Sequence, residues 1–164
     1  MSRDGGRTWS QHSGGLKSND VHGFALAANG ARTLFATTNA GLHTSADGGE
    51  SWTFTAIDSP WQYTRSILCK PGDPDVMFLT NGNGAPGTTG RLYRSGDGGR
   101  TWKDVRLPSS VESSVYFLAT HPSDPDLVFA AATLGQLYRS QDGGETWTAL
   151  RQRLNEIRAI AWLP

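Results

Sequence analysis

The octet Ser45-Ala-Asp-Gly-Gly-Glu-Ser-Trp52 puts a carboxylate, hydroxyls, two glycines and an indole into eight positions. Asp47 could ligate a metal, act as a catalytic carboxylate, or close a turn. Calcium takes six to eight oxygen ligands, and one carboxylate at the Asp position falls far short of that. Glycoside hydrolysis needs two carboxylates at a set separation. The acidic residues outside the octet that fall on its candidate loops are Asp20, Asp58 and Glu112. The spacing does not pair them.

The octet is not alone. Ser2–Trp9, Ser45–Trp52, Ser95–Trp102 and Ser140–Trp147 all read Ser-x-Asp-Gly-Gly-x-Ser/Thr-Trp, with starts 43, 50 and 45 residues apart. A motif that recurs this evenly points to repeated structure before it points to chemistry. Asp4, Asp47, Asp97 and Asp142 can accept backbone N–H groups and close a turn. Gly6, Gly49, Gly99 and Gly144 supply the positive φ of a tight hairpin.

The flanks repeat as well. "AGLHTS", "GRLYRS" and "GQLYRS" precede three of the octets, and "RTLFATT", "DVMFLTN" and "DLVFAAA" lie further upstream. Each unit holds four short β-favouring segments bounded by Gly, Pro, Asn or Asp. Four strands per unit of about 45 residues predicts propeller blades. The fold class is all-β, in one domain over residues 1–164. Three complete blades are expected at 21–56, 63–106 and 114–151. A split fourth blade would supply its last strand at 7–12 and its first at 157–163. A short helical turn is an alternative for 150–157, where Leu150, Leu154 and Ile157 are spaced along one helix face.

The four octets resemble the Asp-box, or bacterial neuraminidase repeat (BNR). It occurs in sialidases, sortilin-type receptors, xyloglucan-degrading hydrolases and photosystem II assembly factors. The resemblance implies that each box forms the hairpin between the third and fourth strands of a blade. Trp9, Trp52, Trp102 and Trp147 would then wedge between blades. It also implies that ligands bind on the opposite face, on loops entering the first strand or joining the second to the third. The Phe/Tyr-Arg-Ile-Pro motif of catalytic sialidases is absent.

On that opposite face, "SPWQYTR" (59–65) collects Trp61, Tyr63 and Arg65, which suit stacking on sugar rings or a peptide. The Gly-rich loop 81–90 would present the amides of Asn81 and Asn83 at the rim, and His22 lies near another such loop. Asp20, Asp58 and Glu112 are the weaker catalytic candidates. His12, His22, His43 and His121 show no ligand pair on one element, so no metal and no cofactor is expected.

Composition narrows the partners. Lys plus Arg equals Asp plus Glu at 15 each, which gives no electrostatic draw to nucleic acid or membrane. No apolar run approaches the roughly 20 residues of a membrane span, no stretch resembles a signal peptide, and the chain reads as soluble, with its compartment open. The one cysteine, Cys69, lies in an apolar run and reads as a small buried hydrophobe. The expectation is a non-catalytic scaffold for a carbohydrate, protein or peptide ligand; the alternative is a fragment of a sialidase- or xyloglucanase-like glycoside hydrolase. Open blade edges pair with other chains. Either a second copy or the remainder of a longer chain is expected to complete the ring.

Overall fold

A computed structural model describes residues 1–27 and 32–163. Among the described residues, twelve strands form three antiparallel four-stranded meanders, each hydrogen-bonded in chain order. The first sheet holds β1 (Val21–Ala27), β2 (Thr33–Thr38), β3 (Gly41–Ser45) and β4 (Thr53–Thr55). The second holds β5 (Tyr63–Lys70), β6 (Asp73–Gly82), β7 (Gly90–Ser95) and β8 (Lys103–Asp104). The third holds β9 (Val115–His121), β10 (Asp124–Ala132), β11 (Leu137–Ser140) and β12 (Thr148–Ala149). Positions 28–31 of the first expected blade lie outside the described residues.

The sheets stack face to face, with β5 beside both β1 and β9. Successive side chains of a strand point to opposite faces, and β6 uses both. Met77 and Leu79 pack toward the first sheet with Ala27, Phe35 and Leu42. Val76 and Phe78 pack toward the third with Val115, Val128, Ala130 and Tyr138. A strand buried on both faces reads as a continuous apolar run, which is why "VMFL" does not alternate.

The last three boxes close the hairpins between third and fourth strands, and the N-terminal box folds in the same way. In each, a serine hydroxyl donates to the aspartate at 2.7–2.9 Å, and the second glycine N–H donates back to that serine at 2.7–2.8 Å. The Ser or Thr four residues after the aspartate donates both its N–H and its hydroxyl to the carboxylate. Neighbouring turns are tied in: Gly98 donates to the Asp75 carbonyl and Gly143 to that of Asp126. The boxes therefore share one face with the turns between first and second strands.

Residues 7–12 and 157–163, expected as strands, carry no ladder, and 150–157 carries no helix. The N-terminal box is closed like the others, and Ser10 donates to the Met1 carbonyl, but nothing extends the pair. A strand is defined by its neighbour, and neither segment has one. At the other end Ile157 donates to the Thr133 carbonyl, and the Trp162 ring lies 5.0 Å from that of His121. These contacts hold the segment by side chains and isolated bonds.

Candidate ligand-binding site

The innermost strands begin on the face opposite the boxes. Val21 pairs with Thr38, Thr64 with Asn81 and Val115 with Ala132, so these are equivalent register positions in the three sheets. The next residue in each strand is His22, Arg65 or Tyr116. His22 reaches Thr64 and Tyr63 at the first sheet boundary, and Arg65 reaches Tyr116 at the second. The Arg65 guanidinium lies 4.4 Å over the Tyr116 ring, a cation–π contact. Tyr63 stacks on Tyr116 with ring centroids 6.4 Å apart, and their hydroxyls are 3.2 Å apart. The His22 ring is 5.1 Å from Tyr63.

Backbone contacts fix this cluster. His22 Nδ1 bonds the Thr64 carbonyl at 2.6 Å, while its Nε2 is 3.4 Å from the Asp20 carboxylate. Thr37 donates its hydroxyl to the Arg65 carbonyl at 2.8 Å. The Thr64 hydroxyl bridges back to the Thr38 backbone. Burial, then the hydrogen bond and proximity of Tyr63, hold the Tyr116 hydroxyl well above the ordinary phenol range. The Tyr116 phenol stays neutral, and Arg65 supplies the local charge.

The other sequence candidates fall elsewhere. The Trp61 ring lies under the Arg91 guanidinium, 5.6 Å away. Asn81 is fully buried, not at the rim: its amide donates to the Ser59 hydroxyl and the Trp61 carbonyl. It pairs with Thr64 in the ladder, which draws its side chain inward under the 59–61 loop. Its Oδ1 has no partner. Asn83 braces its own loop, exchanging bonds with Thr88. Asp58 is exposed, and its carbonyl accepts the Tyr93 hydroxyl at 3.1 Å. Glu112 is paired with Arg153 at 2.6 Å. The Asp20 carboxylate makes the His22 contact described above, while its backbone N–H donates to the Ser18 hydroxyl and its carbonyl accepts from Asn39.

Tyr116 went unnoticed in the sequence. Its signal was available only as register equivalence with His22 and Arg65. On the box face, a groove of about 450 Å³ runs past Arg94, Asp97, Lys103 and Glu145. Arg94 and Glu145 pair across it at 2.7 Å, and Asp97 is committed to its own turn. Among the described residues, no three His, Cys, Asp or Glu side chains gather where they could hold a metal ion. No helix among them is long and apolar enough to cross a membrane.

The BNR/Asp-box repeat family matches residues 138–149. The three stacked four-stranded meanders are β-propeller blades, and the matched repeat recurs as four boxes along the chain. Among solved structures it is similar to an ancestral GH74 enzyme, at 26% identity and TM-score 0.68 over 82% of this chain and 19% of that one. It is also similar to the GH74 xyloglucanase of Xanthomonas campestris, at 24% identity and TM-score 0.52 over 72% of this chain and 18% of that one. A third is YCF48 bound to a D1 peptide, at 16% identity and TM-score 0.60 over 87% of this chain and 48% of that one. The chain thus spans about a fifth of the GH74 enzymes and about half of YCF48. No curated protein matches it in sequence.

Proposed function

We propose that these blades form a non-catalytic scaffold that binds a carbohydrate or peptide ligand where the innermost strands begin. The observation that carries this reading is the gathering of His22, Arg65 and Tyr116, from equivalent positions of three adjacent strands, around Tyr63. Stacked aromatics beside a fixed cation suit a sugar ring or an extended peptide with an anionic group. YCF48, a propeller of similar fold, is bound to a D1 peptide, which supports a peptide as one ligand class.

The second reading is a piece of a glycoside hydrolase, favoured by the 26% identity to a GH74 enzyme. Against it, Glu112 is ion-paired and Asp20 is engaged by His22, which leaves no evident acid and base acting together.

Calorimetric titration with xyloglucan oligosaccharides and with acidic peptides decides between them, using wild type, Tyr63→Ala and Arg65→Ala. Binding without turnover that both substitutions weaken supports the scaffold. Hydrolysis lost in Asp20→Asn or Glu112→Gln overturns it, as does binding indifferent to Tyr63 and Arg65.

A further inference from the structure

The residue two places before the box serine does one job in all three sheets. His43, Tyr93 and Tyr138 stand before Ser45, Ser95 and Ser140. Their ladder partners, Ala36, Leu79 and Ala130, are equivalent second-strand positions. All three side chains are buried, and each bonds the loop that leads into its own sheet. Tyr93 donates its hydroxyl to the Asp58 carbonyl at 3.1 Å, and the Tyr138 hydroxyl is 3.3 Å from that of Ser109. His43 instead accepts the Lys17 backbone N–H on Nε2 at 3.0 Å.

The histidine can do this in one protonation state. Its Nδ1 lies 3.2 Å from the Gly41 carbonyl, which accepts and cannot donate, so Nδ1 carries the proton. Nε2 is then the bare acceptor that the Lys17 N–H needs. A proton on Nε2 sets one N–H against another and breaks the bond. Tyrosine ordinarily titrates near pH ~10, so the equivalent bonds of the other two sheets do not change between pH values where histidine titrates.

Loop 13–18 is held on the first sheet by few contacts. The Gly14 carbonyl accepts the Trp52 N–H at 2.8 Å. Gly15, at φ +89°, comes so close that a Cβ would meet the Trp52 carbonyl oxygen at 1.8 Å. Lys17 Nζ sits 3.1 Å over the Phe54 ring, which meets the His43 ring edge-on at 5.6 Å. Lys17 is the charge that bears on His43; beside it β2 presents Ala36 and β4 presents Phe54, and neither titrates. The segment's other histidine contacts, His12 with Glu50 at 2.8 Å and His22 with Asp20 at 3.4 Å, are strengthened by protonation. The loop residues are exposed or half-buried, as in segments that open before the fold does.

We propose that His43 is a pH-operated latch, which holds loop 13–18 on the first sheet when neutral and frees it when protonated, while the tyrosine latches on loops 56–62 and 105–114 stay closed. With the latch closed, burial holds the His43 pKa below its ordinary 6.5; the Gly41 bond opposes this and the Lys17 charge adds to it. With the latch open, the ring is solvated and protonates at its ordinary value. The closed state is therefore favoured in full above 6.5 and loses ground as the pH falls below it. The loop runs on through Asp20 to His22, so the latch acts beside the ligand-facing cluster.

Amide hydrogen exchange of the intact chain at pH 7.5 and 5.5, read residue by residue and corrected for the intrinsic exchange rate, tests this. Protection of the Lys17 and Trp52 N–H groups falls at the lower pH, by up to about 10-fold, the limit for one proton taken up near an ordinary pKa of about 6.5. Protection of the Ser59 N–H, which bonds the Ile57 carbonyl in loop 56–62, stays the same. His43→Gln, whose side-chain carbonyl accepts the Lys17 N–H at either pH, removes the difference at Lys17. Lys17 protection that is equal at the two pH values overturns the proposal. So does a fall that Ser59 shares in proportion, or one that persists in His43→Gln. If His43→Gln does not fold, the contrast between Lys17 and Ser59 in wild type decides alone. None of these results bears on ligand binding at Arg65 and Tyr63.

Discussion

Phe78 and Trp147 meet edge-on across the boundary between the second and third sheets, 6.3 Å between centroids and 81° between planes. The contact joins a second-strand residue of one sheet to the box of the next. Trp147 also donates its indole N–H to Gly144, so one side chain packs between sheets and braces its own hairpin.

Trp147→Ala therefore lowers stability by about 3–5 kcal/mol, the usual cost of emptying a buried aromatic site. Trp9→Ala, with the same motif position and 75% exposure, changes monomer stability by less than about 0.5 kcal/mol. Urea unfolding at low protein concentration compares them. Equal losses would mean that position in the motif, not burial between sheets, sets the cost.

Gly144 gives a second contrast. It sits at φ +86°, and a Cβ there would meet Phe78 at 2.2 Å, whereas Gly5 at φ +75° has nothing within 4 Å. Gly5→Ala costs about 1–2 kcal/mol of backbone strain. Gly144→Ala costs that and the displacement of the Phe78 ring, a further 1–3 kcal/mol or so from overpacking. Unfolding midpoints of the two variants measure the difference, and a smaller loss at Gly144 would sink this account.

The blades were legible in the sequence because the box fixes the register of each hairpin, and the register fixes which residues face which neighbour. Met77 and Phe78 are adjacent and go to opposite interfaces for that reason. The terminal strands were not legible, because a β-favouring segment becomes a strand only beside another one. Residues 157–163 have the composition without the neighbour. Asn81 read as a rim amide because a polar residue next to glycines suggests a loop; ladder pairing with Thr64 buries it instead. Tyr116 has no local motif. Its place beside Arg65 follows from alignment of innermost strands, which the unequal loops between units obscure.

His43 sets one pH dependence. Burial pushes its pKa below the ordinary 6.5; the Gly41 carbonyl opposes this, and the Lys17 charge adds to it. Its Nε2 accepts the Lys17 N–H at 3.0 Å, which requires the neutral ring. The unfolded chain takes up a proton near pH 6.5 and the folded chain only at lower pH. The stability that neutral His43 provides is thus full above 6.5 and is lost as the pH falls below it. Unfolding free energies measured from pH 7.5 to 5.5 decline in wild type and decline less in His43→Gln. An unchanged slope in the variant would assign the dependence to other groups.

The box carboxylates set a second dependence at lower pH. Hydrogen bonds from Ser51 and Ser45 hold Asp47 at about 2, against an ordinary 3.8. Asp142 feels burial that raises it, but bonds from Thr146 and Ser140 outweigh this and bring it to about 2. Asp97 behaves alike, with Thr101 and Ser95 as donors. A carboxylate depressed in the folded state contributes stability that is complete above pH 3.8 and lost as the pH falls toward 2. Acid titration followed by near-ultraviolet circular dichroism should show tertiary signal persisting at pH 4 and falling between 4 and 2. The double variant Asp97→Asn, Asp142→Asn is less stable at pH 7 and has a flatter profile across that window, because two of the linked protons are gone. A profile as steep as wild type would place the acid sensitivity outside the boxes.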